Sequence, residues 1–296
     1  MVTRRQLTQG FGIALASSAT AVCGATARSA WSDRLKQALS QVEVESRGRL
    51  GVAVLNTETH EQVTHRGDER FPMCSTFKVL AAAAVLARVD RGEEALSRRI
   101  RFEASAVVVN SPVTKDHVGG VGMTLSALCK AAMTMSDNTA GNLLLEVIGG
   151  PAGLTQYARS LGDRTTRLDR TEPDLNEALP GDLRDTTSPD AMAANLRQLV
   201  FSDVLLPASR EQLGLWLKHN KTGDTRLRAG LPGSWTVGDK TGAGDRGTTN
   251  DIAVIWPSEG APLVVAAYLT GANTSAEQRN ATIAAVGRAV AEAKGL

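Results

Sequence analysis

The sequence predicts an α/β (α+β) fold of two lobes, one built on a five-stranded antiparallel sheet flanked by helices and the other entirely helical. This prediction rests on the order of the elements. Two strand-like segments lie before residue 72, three lie after residue 233, and helical periodicity runs between them. The simplest packing joins early and late strands in one sheet, covered by the terminal helices. A cleft between the lobes would then be a natural substrate site.

Residues 1–27 are typical of an export signal. Thr3-Arg4-Arg5 precedes a mildly apolar stretch that ends in small residues, with Ala25-Thr26-Ala27 as the cleavage candidate. The stretch is too short and too rich in Ser and Thr for a membrane span, and an amphipathic first helix is the alternative. The paired arginines resemble a twin-arginine signal, although Leu7 stands where Phe is commonest, so the ordinary secretory route stays open. We expect the export machinery as a partner and a periplasmic or secreted mature chain, residues 28–296.

The composition argues against nucleic acid and membranes as partners of the mature chain. Aromatic residues make up 4% of the 296 residues, and no block of Lys and Arg marks a phosphate-binding face. The formal charge of +2 falls to 0 when the two arginines of the signal are removed. The four histidines are scattered, so we predict no metal site and no cofactor. Cys74 and Cys129 remain after cleavage, and we expect both to be free and mostly buried.

Local patterns predict the individual elements. Apolar residues recur at helical spacing from Trp31 to Val42, which indicates a helix over residues 31–46. A strongly apolar helix follows from Ser75 to Arg91, and a final alanine-rich helix runs from about Ser275 to Glu292. The predicted strands are residues 48–59, 61–71, 234–242, 249–258 and 262–271. The predicted α/β lobe spans about 31–70 and 219–296, and the helical lobe about 71–218, including a loop at 170–185.

Ser75 and Lys78 lie three positions apart at the start of an apolar helix, so their side chains share one helix face. A serine hydroxyl is a weak nucleophile unless a neighbouring base takes its proton. A lysine in a dry site can serve as that base because burial lowers its pKa. The alternative is structural: Ser75 caps the helix and Lys78 is solvated, as at many helix starts.

Two further segments carry polar side chains that a plain helix or strand does not need. Ser136-Asp137-Asn138 lies between helical stretches, where a hydroxyl and a carboxamide could relay a proton and orient an amide, or where one residue simply caps the next helix. Lys240-Thr241-Gly242 lies on a predicted strand. Its lysine supplies a charge for a carboxylate, and the Ala243 N–H could complete an oxyanion hole. The alternative is an exposed edge-strand lysine beside a bulge.

The polar loop around residues 170–185 carries the remaining candidates. Glu172 and Asn176 could together hold one water, with the carboxylate as base and the amide as orienter. Arg170 and Asp185 could clasp the ends of the loop as an ion pair. A solvated acidic loop is the alternative.

Taken in chain order, S-x-x-K, S-D-N and K-T-G form a signature of class A β-lactamases and penicillin-binding proteins. The sequence resembles the class A serine β-lactamases from about residue 31 to residue 296. Four longer segments match in order and spacing: SPVT at 111–114, MSDNTAGNLLL at 135–145, EPDLNEALPGDLRDTT at 172–187 and DKTGAGDRG at 239–247. The resemblance implies the two-lobed serine β-lactamase/transpeptidase-like fold, together with hydrolysis of the β-lactam ring and resistance to these antibiotics.

The resemblance also implies catalytic roles. Ser75 would attack the β-lactam carbonyl, and the N–H groups of Ser75 and Ala243 would hold the oxyanion. Ser136 would carry a proton to the departing ring nitrogen. Glu172 would activate the water that hydrolyses the acyl-enzyme. The acylation base stays open between Lys78 and Glu172 acting through water.

The resemblance implies a set of substrate-binding residues as well. They are Asn110, Asn138, Asn176, Arg226, Lys240, Thr241 and Gly242. Asn138 would accept the substrate's side-chain amide, while Lys240, Thr241 and Arg226 would hold its carboxylate. Asn176 would assist in positioning the hydrolytic water.

Three departures from the family pattern bear on the substrate range. Thr249 stands where the family often has an arginine, and Arg226 matches the position from which other members supply the substitute guanidinium. Asn110 replaces a gatekeeping aromatic residue. Cys74 resembles the carbapenem-hydrolysing branch, but its usual disulfide partner position is Gly244, so we expect no disulfide there and a weaker case for carbapenems.

We therefore predict a monomeric β-lactam hydrolase whose partners are a small-molecule β-lactam and a hydrolytic water. Penicillins and cephalosporins are the expected substrates, and carbapenems stay open. Two alternatives share the nucleophile and its neighbours: a D,D-peptidase or penicillin-binding protein, and a β-lactam-sensing receptor domain that is acylated and stops. Glu172 and Asn176 argue against both, because a water-activating carboxylate separates hydrolysis from trapping.

Overall fold

The computed structural model describes the backbone of residues 19–295 and the side chains of residues 31–295. The helices are α1 Ala19–Ser46, α2 Phe77–Asp90, α3 Leu125–Thr134, α4 Asn138–Ile148, α5 Gly150–Ser160, α6 Pro189–Phe201, α7 Pro207–Lys218 and α8 Ala276–Ala293. The strands are β1 Arg49–Asn56, β2 Gln62–His65, β3 Phe71–Pro72, β4 Arg99–Ile100, β5 Met123–Thr124, β6 Thr186–Thr187, β7 Thr236–Ala243, β8 Thr249–Trp256 and β9 Leu263–Thr270.

Five strands form one sheet in the order β2-β1-β9-β8-β7, and every neighbouring pair is antiparallel. The early strand β1 lies directly beside the late strand β9, with Ala53 opposite Ala266. This confirms the prediction that early and late strands join in one antiparallel sheet. Strand β7 is left at an edge, where its outer side is free to border a cleft.

The sheet is buried on both faces, and β9 illustrates why. Every residue from Leu263 to Leu269 is buried. Leu263, Val265 and Ala267 pack with α1 and α8, whereas Val264, Ala266 and Tyr268 pack with the core of the helical lobe. Since successive side chains in a strand point to opposite faces, a nearly continuous apolar strand fits a position between two layers.

Helix α2 is the centre of the helical lobe. All residues from Phe77 to Ala87 are buried, and α2 contacts α3, α4, α5 and α7. A helix that is apolar all round belongs in the interior. Its alanines are small, so neighbouring helices approach it closely. Ser75 therefore directly precedes the helix at the centre of the lobe.

The prediction of helical segments throughout the middle of the chain is wrong for residues 91–124. That stretch contains short 3-10 turns and the β4–β5 pair in place of α-helix. Three of its glycines, which tolerate positive φ, interrupt helical geometry: Gly119, Gly120 and Gly122. The stretch folds around Asp137, whose carboxylate accepts the backbone N–H groups of Val113 and Thr114, both at 2.9 Å.

The predicted export signal, residues 1–27, lies outside the described residues except where α1 begins at Ala19, and none of its side chains is described. The predicted helix over residues 31–46 is present as the C-terminal part of α1. In the part of the chain that the structure describes, no helix is long and apolar enough to cross a bilayer.

Candidate active site

Ser75 lies in a 3-10 turn, Cys74–Thr76, immediately before α2, so the helix begins two residues later than predicted. Asn250 of β8 donates to the Met73 carbonyl at 3.2 Å and fixes the turn against the sheet. Cys74 adopts a left-handed conformation with φ 45°, which is strained for a residue other than glycine. The turn thus holds the Ser75 side chain at the junction of the lobes.

Lys78 lies in the first turn of α2 and is completely buried, which excludes the solvated alternative. Its Nζ donates to Ser75 Oγ at 2.8 Å, to the Ser136 carbonyl at 2.8 Å and to Asn138 Oδ1 at 2.7 Å. It also lies 3.0 Å from Glu172 Oε1. Burial lowers the pKa of Lys78, and the charge of Glu172 opposes that effect. An ammonium has three N–H donors, so these three hydrogen bonds use all of them.

Glu172 faces Ser75 from the loop and is only 2% exposed, so the loop is not a solvated acidic segment. Ser75 Oγ donates to Glu172 Oε1 at 3.0 Å. Asn176 Nδ2 donates to the other carboxylate oxygen, Oε2, at 2.5 Å. The carboxylate therefore touches the serine through one oxygen and the predicted orienting amide through the other.

The loop is clasped at its base by the ion pair that the sequence predicted. Arg170 Nε lies 2.6 Å from Asp185 Oδ2, and Asp185 is almost fully buried. The Asp185 carbonyl accepts the Met73 N–H at 2.9 Å. Because Met73 lies two residues before Ser75, this contact ties the loop carrying Glu172 to the segment that carries Ser75.

Ser136 lies between two buried ammonium groups. Its Oγ accepts from Lys240 Nζ at 2.9 Å, and its carbonyl accepts from Lys78. Ser136 has φ 55°, a left-handed conformation rare outside glycine. Lys240 on β7 is fully buried, unlike the exposed edge lysine of the alternative. Burial, together with the charge of Lys78, lowers the pKa of Lys240 to about 7.

The S-D-N segment caps the next helix, which is one of the two roles considered for it. Asp137 is the N-cap of α4 and accepts the Ala140 N–H at 2.9 Å. Asn138 instead contacts Lys78 through Oδ1 and donates to the Val109 carbonyl through Nδ2 at 3.0 Å. The cap therefore fixes the geometry of the residues on either side of it.

Arg226 lies beside the K-T-G strand and is largely buried. Its Nη1 donates to the carbonyls of Gly242 at 2.8 Å and Asn250 at 2.6 Å. Its Nε donates to Asn280 Oδ1 at 3.0 Å. Burial lowers the pKa of Arg226, although a guanidinium remains charged at any ordinary pH. With Lys240, it gives this wall of the site a strongly positive field.

These groups surround a cavity of about 650 Å³ between the two lobes. Nine predicted site residues line it: Ser75, Asn110, Ser136, Asn138, Asn176, Arg226, Thr241, Gly242 and Ala243. Lys78, Glu172 and Lys240 are buried directly behind the lining. Every residue predicted for the site is thus at or behind one cavity. Within the described residues, no group of three or more His, Cys, Asp or Glu is placed to hold a metal.

Cys74 and Cys129 are both free and buried, as predicted. Gly244 adjoins Cys74: a Cβ built at residue 244 would lie 2.7 Å from Cys74 Sγ and 2.7 Å from the Asn176 carbonyl. Glycine at this position therefore lets the strand approach both the turn before Ser75 and the loop that carries Asn176.

Three positioning residues were missed from the sequence. Asn142 of α4 holds the Glu172 backbone on both sides, accepting its N–H and donating to its carbonyl, each at 2.9 Å. Gly141 leaves room for the lysine, because a Cβ there would lie 2.7 Å from Lys78 Cε. Asn280 contacts Arg226 from α8. The T-A-G-N run beside S-D-N was the available signal for the first two, and nothing local marks Asn280.

The fold and the convergence of S-x-x-K, S-D-N and K-T-G side chains on one cleft define the class as an active-site serine enzyme. The chain belongs to the β-lactamase enzyme family, whose profile matches residues 34–293.

Individual relatives and solved structures narrow the family assignment to one class. It is 53% identical over 260 residues to β-lactamase OXY-2 of Klebsiella oxytoca, covering 88% of this chain and 89% of that one. It is 51% identical over 261 residues to β-lactamase Toho-1 of Escherichia coli, with coverage of 88% and 89%. A solved ancestral class A β-lactamase is 63% identical, with a TM-score of 0.86 and coverage of 88% and 99%. These matches confirm the class A serine β-lactamase assignment and the two-lobed fold.

Proposed function

We propose that the chain inactivates β-lactam antibiotics by hydrolysing the β-lactam amide through an acyl-enzyme on Ser75. The observation that carries this proposal is the position of Ser75 Oγ, 2.8 Å from Lys78 Nζ and 3.0 Å from Glu172 Oε1. Both partners are buried, so an acceptor for the hydroxyl proton is held in place before substrate arrives. While Lys78 is charged, that acceptor is Glu172. Once Lys78 has passed a proton to Glu172, its neutral amine can take over.

In acylation, Ser75 Oγ bonds to the β-lactam carbonyl carbon while its proton moves to the base. The N–H groups of Ser75 and Ala243 stabilise the oxyanion. When the carbon–nitrogen bond breaks, the ring nitrogen takes a proton from Ser136, and Ser136 regains one from the base that holds the proton of Ser75, which leaves that base free for the next step. Lys240 and Lys78, which contact Ser136, supply the charge that favours this transfer.

In deacylation, Glu172 and Asn176 hold one water above the ester. Glu172 takes a proton as the water oxygen attacks the ester carbonyl, and the bond to Ser75 Oγ breaks as that oxygen regains a proton. A penicillin-binding protein or a sensing domain needs no such step. The burial of Glu172 against both Ser75 and Asn176 therefore favours hydrolysis over the two alternatives.

The positive wall of the cavity suits the carboxylate that β-lactams carry beside the ring nitrogen. Lys240, Thr241 and Arg226 are its proposed partners, and Gly242 lets the substrate approach the strand closely. Asn138 accepts the amide of the substrate side chain, and Asn110 lies at the rim where that side chain leaves the cavity.

The remaining assignments complete the proposal. Penicillins and cephalosporins are the substrates, with carbapenems as the case to be tested. The chain acts as a monomer after export to the periplasm or medium and removal of residues 1–27. The catalytic unit is residues 28–296, with the α/β lobe at about 31–70 and 219–296.

The decisive experiment measures hydrolysis of one penicillin and one cephalosporin by purified residues 28–296, followed by the loss of β-lactam absorbance. We expect multiple turnovers, and none with Ser75→Ala. One equivalent of adduct on Ser75 without further turnover would instead assign the chain to the sensing or penicillin-binding class.

Replacing Arg226 with Ala should raise KM for penicillins about tenfold and change kcat little, because a charge-assisted contact to the carboxylate is lost. Steady-state kinetics on benzylpenicillin would measure it. Arg226→Lys, which keeps the charge, is the matched comparison, and its KM should lie between those of the unaltered chain and Arg226→Ala. An unchanged kcat/KM in a folded Arg226→Ala variant would remove Arg226 from the carboxylate site.

The charge of Lys240 should make penicillin binding pH-dependent. Because the pKa of Lys240 is lowered to about 7, the ammonium is present below that pH and is lost above it. We expect kcat/KM to fall by roughly tenfold across the alkaline limb as attraction for the carboxylate is lost. The side chain of Lys240→Arg stays charged, so the alkaline limb of its kcat/KM profile should move to higher pH. The same limb in both proteins would assign the titration to another group.

A further inference from the structure

A second cavity, of about 560 Å³, lies next to the catalytic one and has no part in the proposed reaction. It is called here the α3 cavity. Its lining residues are Val113, His117, Met123, Ala127, Lys130, Ala131, Thr134, Met135, His219 and Lys221. Met135, which is 39% exposed, lines both cavities and forms the wall between them.

The α3 cavity has an apolar floor and a basic rim. Met123, Ala131 and Thr134 are the buried part of the floor. The two lysines, Lys130 and Lys221, are exposed at its edge together with the two histidines. No Asp or Glu lines the cavity, and neither lysine forms an ion pair with any described residue. An apolar hollow with unpaired ammonium groups at its mouth matches a ligand with an apolar body and a negative head.

We propose that the α3 cavity binds a small amphipathic carboxylate, such as an aromatic or medium-chain acid. The apolar body lies on Met123 and Ala131, and the carboxylate lies at the rim between Lys130 and Lys221. A purely polar anion would lose the apolar contacts with the floor of the cavity, and a neutral apolar molecule would lose the attraction of the lysines at its rim. The chemistry of this cavity is distinct from that of the catalytic cavity, where Lys78 and Lys240 are buried and hydroxyl and amide side chains contribute to the lining.

One backbone hydrogen bond and a short stretch of chain connect the α3 cavity to Ser136. The Lys221 N–H donates to the Thr134 carbonyl at 2.9 Å and joins the end of α3 to the segment after α7. Ser136 follows Thr134 by two residues, and its left-handed φ leaves it little freedom to adjust. A ligand that shifts Met135 should therefore change the position of Ser136. This kinetic consequence, unlike the binding itself, rests on the proposed function.

The test for binding uses 2-naphthoate and calorimetric titration of the purified chain. We expect saturable binding of one equivalent, with the neutral 2-naphthamide about fivefold to tenfold weaker because it lacks the attraction of two exposed lysines. The double variant Lys130→Ala/Lys221→Ala should weaken naphthoate binding by a similar factor, and Lys36→Ala, on the distant helix α1, should not change it. No binding at millimolar naphthoate, or equal affinity for acid and amide, would overturn the proposal.

Two variants locate the ligand. Ala127 lines the α3 cavity but not the catalytic cavity, so Ala127→Leu fills part of the α3 cavity and should reduce the affinity for naphthoate at least tenfold. Thr241→Val alters only the catalytic cavity and should leave this affinity unchanged. Thermal melting confirms that both variants fold. Unchanged affinity in Ala127→Leu, or loss in Thr241→Val alone, would place the ligand in the catalytic cavity and refute the α3 site. Saturating naphthoate should also lower kcat/KM for a penicillin at least twofold in the unaltered chain. The same inhibition in Ala127→Leu would show that it does not arise from the α3 cavity.

Discussion

Replacing Glu172 with Gln should yield an enzyme that is acylated once and then stays acylated. Glutamine keeps the shape of the side chain but cannot take a proton from the hydrolytic water, so deacylation should fall by about 10³-fold. Acylation should fall much less. The pKa of Lys78 is lowered by burial and held up by the charge of Glu172, so removal of that charge favours the neutral amine. A neutral Lys78, 2.8 Å from Ser75 Oγ, can then accept the hydroxyl proton.

Mass spectrometry after mixing with a penicillin would measure this trap. We expect the Glu172→Gln protein to gain the mass of one intact penicillin and to keep it over minutes, while the unaltered chain returns to its free mass. Asp174→Asn is the matched control, because Asp174 is an exposed acid two residues away in the same loop. It should turn over normally. Normal turnover by Glu172→Gln would refute the role proposed for this carboxylate.

Much of this site was predictable because its motifs are local. Ser75 and Lys78 are neighbours through helix geometry alone, and Lys240 and Thr241 follow one another on one predicted strand. The sheet was predictable for a similar reason: β9 is a continuous apolar run between turn residues, and such a run fits a strand covered on both faces.

What local patterns could not predict depends on contacts between distant segments. Ser75 and Glu172 are 97 positions apart, and the family resemblance, rather than any periodic signal in the chain between them, placed both in one site. Asn142 looks like any polar residue of a helix, yet its amide fixes the Glu172 backbone. Residues 91–124 have apolar residues at spacings that suit a helix, but they fold around the buried carboxylate of Asp137, an interaction that a local pattern cannot show.

Replacing Lys78 with Met should block the reaction at its first step. Methionine fills a similar volume but leaves Ser75 Oγ, the Ser136 carbonyl and Asn138 Oδ1 without their common donor. It also removes the amine that can take the proton of Ser75, and it leaves the buried carboxylate of Glu172 without its cation. We expect acylation, measured in a single turnover with excess enzyme, to fall by about 10³-fold or more. Breaking a buried pair should also cost about 3 kcal/mol of the free energy of unfolding at pH 7.

The two variants separate the halves of the proposed reaction, because each removes one partner of the same buried ion pair. Glu172→Gln should accumulate acyl-enzyme, whereas Lys78→Met should accumulate none. Lys115→Met is the control, because Lys115 is an exposed lysine lining the same cavity, and its kcat/KM should stay within about threefold. Acylation of Lys78→Met at the unaltered rate would make Glu172 alone the acylation base.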